Sequence, residues 1–352
     1  MQKTRLLAAA LFGVVAFAAR GQPQPNPGAS LQAAQDPREA GVLAECKTPP
    51  PARPPRPAGG RGVGPGAAAA PPPSTVTAIP GVIAADQHWR KIWAADGNVA
   101  DGIVGTDDGG LLVAQNDKSD IMKLDVDGRA TIAYRDVRTG GSVSMSKSGT
   151  LFALERALNP AVVELAPKRR VLADKYRGDP LDCLGGVLND LTADSKGGVY
   201  FTNGGLFYVA PDGTMTRYGE NLRTNGIILS PDEKTLYVTN GGAIAAFDVE
   251  TDGSLANQRE FVKLPAGFSD GSTIDGAGRL YVSGGPSGVH VIGPDGTYLG
   301  AIATPFTAIS VAFSGPDKKT LYAVATLREN GNQSAEIYAI PMIAQGYKGR
   351  AK

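Results

Sequence analysis

Four residues with oxygen-donor side chains occupy equivalent places in a repeated sequence pattern. Each precedes the first apolar residue of a short strand-like segment by ten or eleven residues: Asp101, Asn189, Asn225 and Asp270. Gly141 and Ser310 hold the same place in two further copies. Carboxylate and amide oxygens suit Ca²⁺ best, with Mg²⁺, Mn²⁺ or a loosely held Zn²⁺ as alternatives. If the copies surround an axis, these residues form a ring that predicts a divalent-cation site.

A second set of polar residues ends the strand-like segments themselves: Gln115, Glu155, Asn203 and Asn240. An antiparallel strand ends where its neighbour begins, so these side chains are expected beside the ring, where they would orient ligands or substrate. Glu155 is also a candidate cation ligand in its own right. The alternative is that Glu155 caps a loop by hydrogen bonding.

The segments that position both sets recur six times, with first apolar residues at 111, 151, 199, 236, 280 and 321. Short strands rich in β-branched and aromatic residues, with turns every 8–12 residues, indicate an all-β chain. A repeat of about 42 residues with four strands is typical of a β-propeller, here with six blades. The sixth copy lacks an outer strand, which residues 88–93 are expected to supply, closing the ring. A β-helix or a stacked sandwich is the alternative fold.

The composition excludes several classes of protein. The 352 residues include 35 basic and 34 acidic ones, a balance that argues against nucleic-acid binding. Two histidines and two cysteines are too few for a zinc finger or a disulfide-knot scaffold. Because neither histidine falls at an inner-strand position, a Ser-His-Asp triad is also disfavoured.

The N-terminal residues have the features of a secretion signal. Lys3 and Arg5 precede an apolar run over residues 6–19, too short to span a bilayer, and Ala16-Phe17-Ala18 suits a signal peptidase. We therefore predict a signal peptide at 1–19, export to the periplasm or the medium, and no membrane span after cleavage.

Proline is concentrated in the next segment, where 14 of the 26 prolines fall between residues 21 and 74. We predict a disordered Pro-rich linker at 20–76, the propeller at 77–346 and a tail at 347–352. Cys46 lies in the linker and Cys183 in the propeller. An exported pair could form a disulfide, although their spacing carries no signal.

The longest repeat spacing arises from an insertion at residues 175–187, which leads directly into Asn189. A longer loop at this place is either a lid over the channel mouth or a solvated loop.

Several segments, in order along the chain, resemble the gluconolactonase and senescence-marker-protein (regucalcin) family of six-bladed propeller lactonases. They are Asn189-Asp190-Leu191, Gly198-Val199-Tyr200-Phe201-Thr202, Thr224 to Asp232, Asp270 to Asp275 and Gly315 to Tyr322. The resemblance covers roughly residues 85–345. It implies one divalent cation on the axis, held at positions matching Asp101, Asn225 and Asp270, with Asn189 at the substrate or the metal.

Two positions depart from the family pattern. Asp101-Gly102-Ile103 stands where Glu-Gly-Pro is usual, and Val187 stands where some members carry an arginine. The shorter carboxylate and the missing arginine make sugar-lactone recognition less well supported by the sequence than metal binding.

The resemblance leads to a functional hypothesis, a monomeric, metal-dependent lactonase acting on a small-molecule sugar lactone. The cation would polarise the ester carbonyl, and Asp270 and Asn189 would be the catalytic residues, Asp270 or a carboxylate near it as the base. The main alternative is a non-catalytic exported binding module with a structural Ca²⁺. An ether- or phosphoester-cleaving propeller is a third.

Overall fold

The computed structural model describes residues 36–48, 50, 75–329 and 332–349. The predicted signal peptide at 1–19 and most of the predicted linker lie outside these residues. The described chain is almost entirely β, with six four-stranded antiparallel sheets. The predicted six-bladed propeller is confirmed.

The helix and the strands of the first half follow in chain order. The arm before the propeller contains α1 (Glu39–Ala44), and β1 (Arg90–Asp96) opens the propeller. Blade one consists of β2 (Ile103–Gly105), β3 (Leu111–Gln115), β4 (Asp120–Leu124) and β5 (Ala130–Tyr134). Blade two consists of β6 (Gly140–Met145), β7 (Leu151–Glu155), β8 (Ala161–Ala166) and β9 (Arg170–Ala173). The insertion carries β10 (Lys175–Tyr176), β11 (Asp179–Pro180) and a 3₁₀ helix (Leu181–Leu184).

The second half repeats the same unit. Blade three consists of β12 (Leu188–Ala193), β13 (Val199–Asn203), β14 (Leu206–Val209) and β15 (Met215–Tyr218). Blade four consists of β16 (Thr224–Leu229), β17 (Thr235–Asn240), β18 (Ala243–Val249) and β19 (Leu255–Lys263). Blade five consists of β20 (Ser272–Ile274), β21 (Leu280–Ser283), β22 (Val289–Ile292) and β23 (Tyr298–Ile302). Blade six consists of β24 (Ala308–Ser314), β25 (Thr320–Glu329), β26 (Asn332–Pro341) and β1.

The N-terminal strand closes the ring as predicted. β1 pairs with β26, with Arg90 opposite Ala339 and Asp96 opposite Ser334. The strand begins at Arg90, so it starts two residues later than the predicted 88–93 segment, and His88 precedes it. Because blade six is built from both ends of the propeller sequence, opening the ring requires breaking a complete strand pairing.

The hydrophobic core is divided among the blade interfaces. Six clusters of buried apolar side chains each combine residues of two neighbouring blades. In one of them, Ile103 of blade one packs with Ala312 and Val324 of blade six. A single blade cannot bury both of its faces, so each blade is stabilised by its neighbours. This arrangement holds the inner strands, β2, β6, β12, β16, β20 and β24, around the axis.

A structured arm lies within the segment expected to be a linker. Residues 36–48 include α1, and Cys46 forms a disulfide with Cys183, 137 residues further on, with a Cα–Cα distance of 5.6 Å. Thus the two cysteines do pair, and the disulfide ties this N-terminal arm to the insertion. Within the described part of the chain, no helix is long and apolar enough to cross a bilayer.

Candidate functional site

β-Bulges lie at the ring positions of three blades. The register of the inner strand shifts between Gly140 and Val143 in blade two, and between Leu188 and Leu191 in blade three. The same shift occurs between Thr224 and Ile227 in blade four. A bulge bends the strand and redirects a side chain, and bulges are frequent beside active sites. Gly141, Asn189 and Asn225 all fall inside these shifts.

Contacts between neighbouring inner strands bring the ring positions to one level. The amide of Gly102 donates to the Gly141 carbonyl at 3.1 Å, and the amide of Gly271 donates to the Ile309 carbonyl at 3.0 Å. The amide of Ile227 donates to Asp190 Oδ2 at 3.0 Å, linking blades three and four. Blades four and five approach so closely that a Cβ on Gly226 would lie 2.1 Å from the Asp270 carbonyl oxygen. These contacts place the aligned positions of neighbouring blades next to each other.

The second polar set lies beside the ring. Glu155, Asn203 and Asn240 pair with Gly140, Leu188 and Thr224, the residues immediately before the ring positions.

The side chains of this set brace the segments that enter the ring. Gln115 Nε2 donates to the Val99 carbonyl at 2.9 Å, and Asn240 Oδ1 accepts from the Arg223 amide at 2.7 Å. Val99 and Arg223 each lie two residues before a ring residue. Asn203 packs against Gly186, where a Cβ would lie 2.2 Å from Asn203 Oδ1.

Glu155 does not face the ring as a ligand. Arg138 Nε donates to Glu155 Oε2 at 2.7 Å, and Arg169 Nη2 donates to Oε1. The carboxylate is 3% exposed and has both oxygens engaged by guanidinium groups. Of the two readings of Glu155, the structure favours the hydrogen-bonding one.

The ring fits a hard divalent cation. Asn225 Oδ1 is buried and has no hydrogen-bond partner among the described residues. Among the described residues, Asn116 at 3.1 Å and Arg156 both donate side-chain hydrogen bonds to Asp101 Oδ2. Neither of these bonds involves Oδ1. No group of three Asp, Glu, His or Cys side chains in the described ranges is arranged as a metal site, so a cation here would rely on the amides as well. Two carboxylates with amide oxygens, and no sulfur or imidazole, favour Ca²⁺ over Zn²⁺.

Arg156 is a ring component that the sequence interpretation missed. It directly follows β7 in blade two, yet its Nη1 pairs with Asp101 of blade one and its Nη2 donates to Asn189 Oδ1 of blade three at 3.1 Å. The side chain is only 6% exposed. The feature of the sequence that pointed to Arg156 was the glycine at position 141, which leaves the blade-two place in the ring without a side chain.

Neither histidine takes part in this site. His290, on β22, is 1% exposed. Its Nδ1 lies 2.9 Å from the Tyr298 hydroxyl, and its Nε2 has no partner among the described residues. Burial lowers the pKa of His290 below its ordinary value of 6.5. His290 is therefore a structural residue whose burial favours the neutral imidazole.

This burial predicts an acid-sensitive stability. Because the folded pKa lies below the unfolded one, the unfolded chain binds the additional proton, and the free energy of unfolding falls as pH drops below about 6.5. One proton limits the slope to about 1.4 kcal/mol per pH unit. Urea titrations between pH 7.5 and 5.5 measure it. His290→Gln should flatten the profile. Equal slopes for wild type and His290→Gln would contradict the assignment.

Comparison with known proteins places these features in a family context. Residues 138–327 match the SMP-30/Gluconolactonase/LRE-like region. A gluconolactonase of Zymomonas mobilis is 28% identical over 296 residues, covering 70% of this chain and 78% of that protein. A solved gluconolactonase from Xanthomonas campestris superimposes with a TM-score of 0.63 at 23% identity, covering 78% and 95% of the two chains. A calcium-binding regucalcin from Agrobacterium tumefaciens gives 0.57 at 16% identity, covering 74% and 98%. At these identities the two structures support the fold alone.

Proposed function

The chain belongs to the SMP-30/gluconolactonase/LRE-like family, and from this membership we propose that it is a divalent-cation-dependent hydrolase that opens a lactone, with a sugar lactone as the substrate class. The similarity to a gluconolactonase supports lactone hydrolysis. The observation that carries the cation requirement is the buried Asn225 Oδ1, which has no hydrogen-bond partner within the described part of the chain, in a ring that also contains Asp101 and Asp270. A buried amide oxygen without a donor is costly unless something binds it.

Asp101, Asn225 and Asp270 would hold the cation. When bound, it supplies Lewis-acid polarisation of the ester carbonyl. Asn225 contributes an oxygen donor without adding charge. Asn189, whose Oδ1 is oriented by Arg156 at 3.1 Å, would hydrogen-bond the substrate through its amide group.

Asp270 would act as the general base. It takes a proton from the attacking water as the water oxygen bonds to the ester carbon. The ring C–O bond then breaks, and the same proton is returned to the alkoxide oxygen, giving a hydroxy acid. The backbone amide of Asp270 donates to the Ser283 carbonyl at 2.9 Å, which fixes the backbone from which the carboxylate extends.

A non-catalytic binding module is the second candidate, and the Arg156–Asp101 ion pair favours it. Because this arginine already neutralises one ring carboxylate, less negative charge remains in the ring to bind an activating cation. In this version the channel binds Ca²⁺ for stability and turns nothing over.

Export to the periplasm or the medium is also proposed. The Cys46–Cys183 disulfide supports it, because structural disulfides persist in oxidising compartments. We further propose a monomer, since each blade leaves only its outer strand as a sheet edge.

The function is tested with purified, chelator-treated protein. Proton release from a panel of lactones, followed in a pH-stat, should require added Ca²⁺, Mn²⁺ or Zn²⁺. Asn225→Ala should weaken calorimetric Ca²⁺ binding at least tenfold, since it removes the unpaired oxygen. The control is Gln258→Ala, an amide on the outer strand β19, which should leave binding unchanged. Ca²⁺ binding without turnover on any lactone would reject the lactonase in favour of the binding module.

A further inference from the structure

The guanidinium of Arg156 is saturated by groups of two other blades. Nε donates to the Leu188 carbonyl, Nη1 to Asp101 Oδ2 and to Asn116 Oδ1 at 3.4 Å, and Nη2 to the carbonyl and Oδ1 of Asn189. An arginine has five N–H donors, and these five acceptors account for all of them. Arg156 therefore has no remaining donor for a substrate, and its role must be exerted through Asp101 and Asn189.

The glycine at the blade-two ring position is what admits this side chain. A Cβ on Gly141 would lie 1.8 Å from Arg156 Nε and 2.1 Å from Cζ. Position 141 is thus not a gap in the ring. The guanidinium occupies the space that a side chain of blade two would otherwise fill, and it places a positive charge among the oxygen donors.

We propose that Arg156 is a positioning residue that sets the cation affinity of the ring; this rests on the cation site of the proposed function. Its charge offsets one of the two ring carboxylates, and its bond to Asp101 engages Oδ2. A divalent cation bound through Oδ1 of the same carboxylate would lie within about 7 Å of the guanidinium, close enough for strong repulsion in a half-buried site.

The expected consequence is a site of weak, exchangeable affinity. Ca²⁺ sites of extracellular modules bind with Kd values of roughly 10⁻⁴–10⁻³ M, set by the ligand charge count. A ring with two carboxylates and a built-in guanidinium has a net charge of −1, from Asp101, Asp270 and Arg156, so it belongs in that range. The same guanidinium fixes Asp101 and Asn189 in place before any cation arrives.

Calorimetric titration of chelator-treated protein with CaCl₂ tests this. Arg156→Gln should tighten Ca²⁺ binding at least tenfold, equivalent to about 1.4 kcal/mol. Gly141→Ala should tighten it as well, because the added Cβ displaces the guanidinium while the arginine remains in the chain. The Gly141→Ala/Arg156→Gln double variant should bind no more tightly than Arg156→Gln alone.

Two further variants isolate the charge. Arg156→Lys keeps the positive charge and should stay within about threefold of the wild-type affinity. Arg138→Gln is the matched control, since Arg138 pairs with Glu155 outside the ring and its side chain is 48% exposed; it should leave the affinity unchanged.

Unchanged, weaker or absent Ca²⁺ binding in Arg156→Gln would overturn the proposal. If that variant does not fold, Gly141→Ala decides it by the same criterion. The two proposals fail differently. Loss of the proposed function appears as wild-type protein without lactone turnover. Failure of this inference appears as equal or weaker affinity in the variants, whatever the turnover.

Discussion

Asp270→Asn is expected to lower kcat for lactone opening by about 10³-fold while the propeller stays folded. Asparagine has nearly the same volume and keeps one oxygen donor, but it cannot accept the proton of the attacking water. General-base catalysis contributes about 10²–10⁴-fold to a rate. The backbone at this position is held by the bond from the Asp270 amide to the Ser283 carbonyl, which the substitution retains. Initial rates at saturating lactone and cation measure the effect.

Asn225→Ala provides the contrast for this prediction. It removes a neutral oxygen donor, so its loss of activity should be recovered largely by excess Ca²⁺, whereas Asp270→Asn should stay inactive at any cation concentration. Melting curves of both variants establish that the fold is intact. A kcat for Asp270→Asn above one tenth of the wild-type value, at saturating cation, would remove Asp270 from the role of base.

The blades could be predicted from sequence because their signals are local. An apolar strand of five residues such as β3 (Leu111–Gln115), followed at regular spacing by further strands and turns, is visible without any tertiary information. The ring positions followed from aligning the copies, since equivalent residues of a repeat array occupy equivalent places. The strand that closes the ring was also predictable, because the sixth copy was one strand short.

Arg156 could not be predicted in the same way. Its Cα belongs to blade two, but every acceptor of its guanidinium hydrogen bonds belongs to blades one and three. Alignment of repeats compares residues at the same position in each blade and does not detect a side chain that crosses between blades. The only trace was Gly141, which on its own is indistinguishable from a turn glycine.

The two interpretations of Glu155, a cation ligand or a hydrogen-bonding residue, could be distinguished only by the residues that contact it, which are distant in sequence. Arg138 and Arg169 lie 17 and 14 residues away along the chain, and each reaches Glu155 from the segment just before β6 or β9. The helix α1 was missed, and the pairing of Cys46 with Cys183 was left open, for a related reason. A six-residue helix in a proline-rich region has little intrinsic stability, and it is held here by a covalent bond to a residue 137 positions further on.

The second large effect is expected from breaking that bond. Cys46→Ser removes a cross-link that closes a loop of 137 residues, and the chain-entropy relation assigns such a loop about 5 kcal/mol of stability. Thermal unfolding should therefore begin several degrees lower. The same change should raise KM several-fold, because the N-terminal arm also holds the insertion through Lys47, whose Nζ donates to the Arg177 carbonyl at 2.9 Å. The insertion runs directly into Asn189.

Three comparisons separate the cross-link from a local packing effect. Cys183→Ser and the double variant should match Cys46→Ser, because each removes the same bond. Wild-type protein in reductant should move to the same melting temperature as the variants, and the variants should not respond to reductant. Lys47→Ala, which keeps the disulfide, should raise KM with little change in melting temperature. A wild-type melting temperature that is insensitive to reductant would mean that the disulfide contributes nothing to stability, and that the six blade interfaces alone hold the ring together.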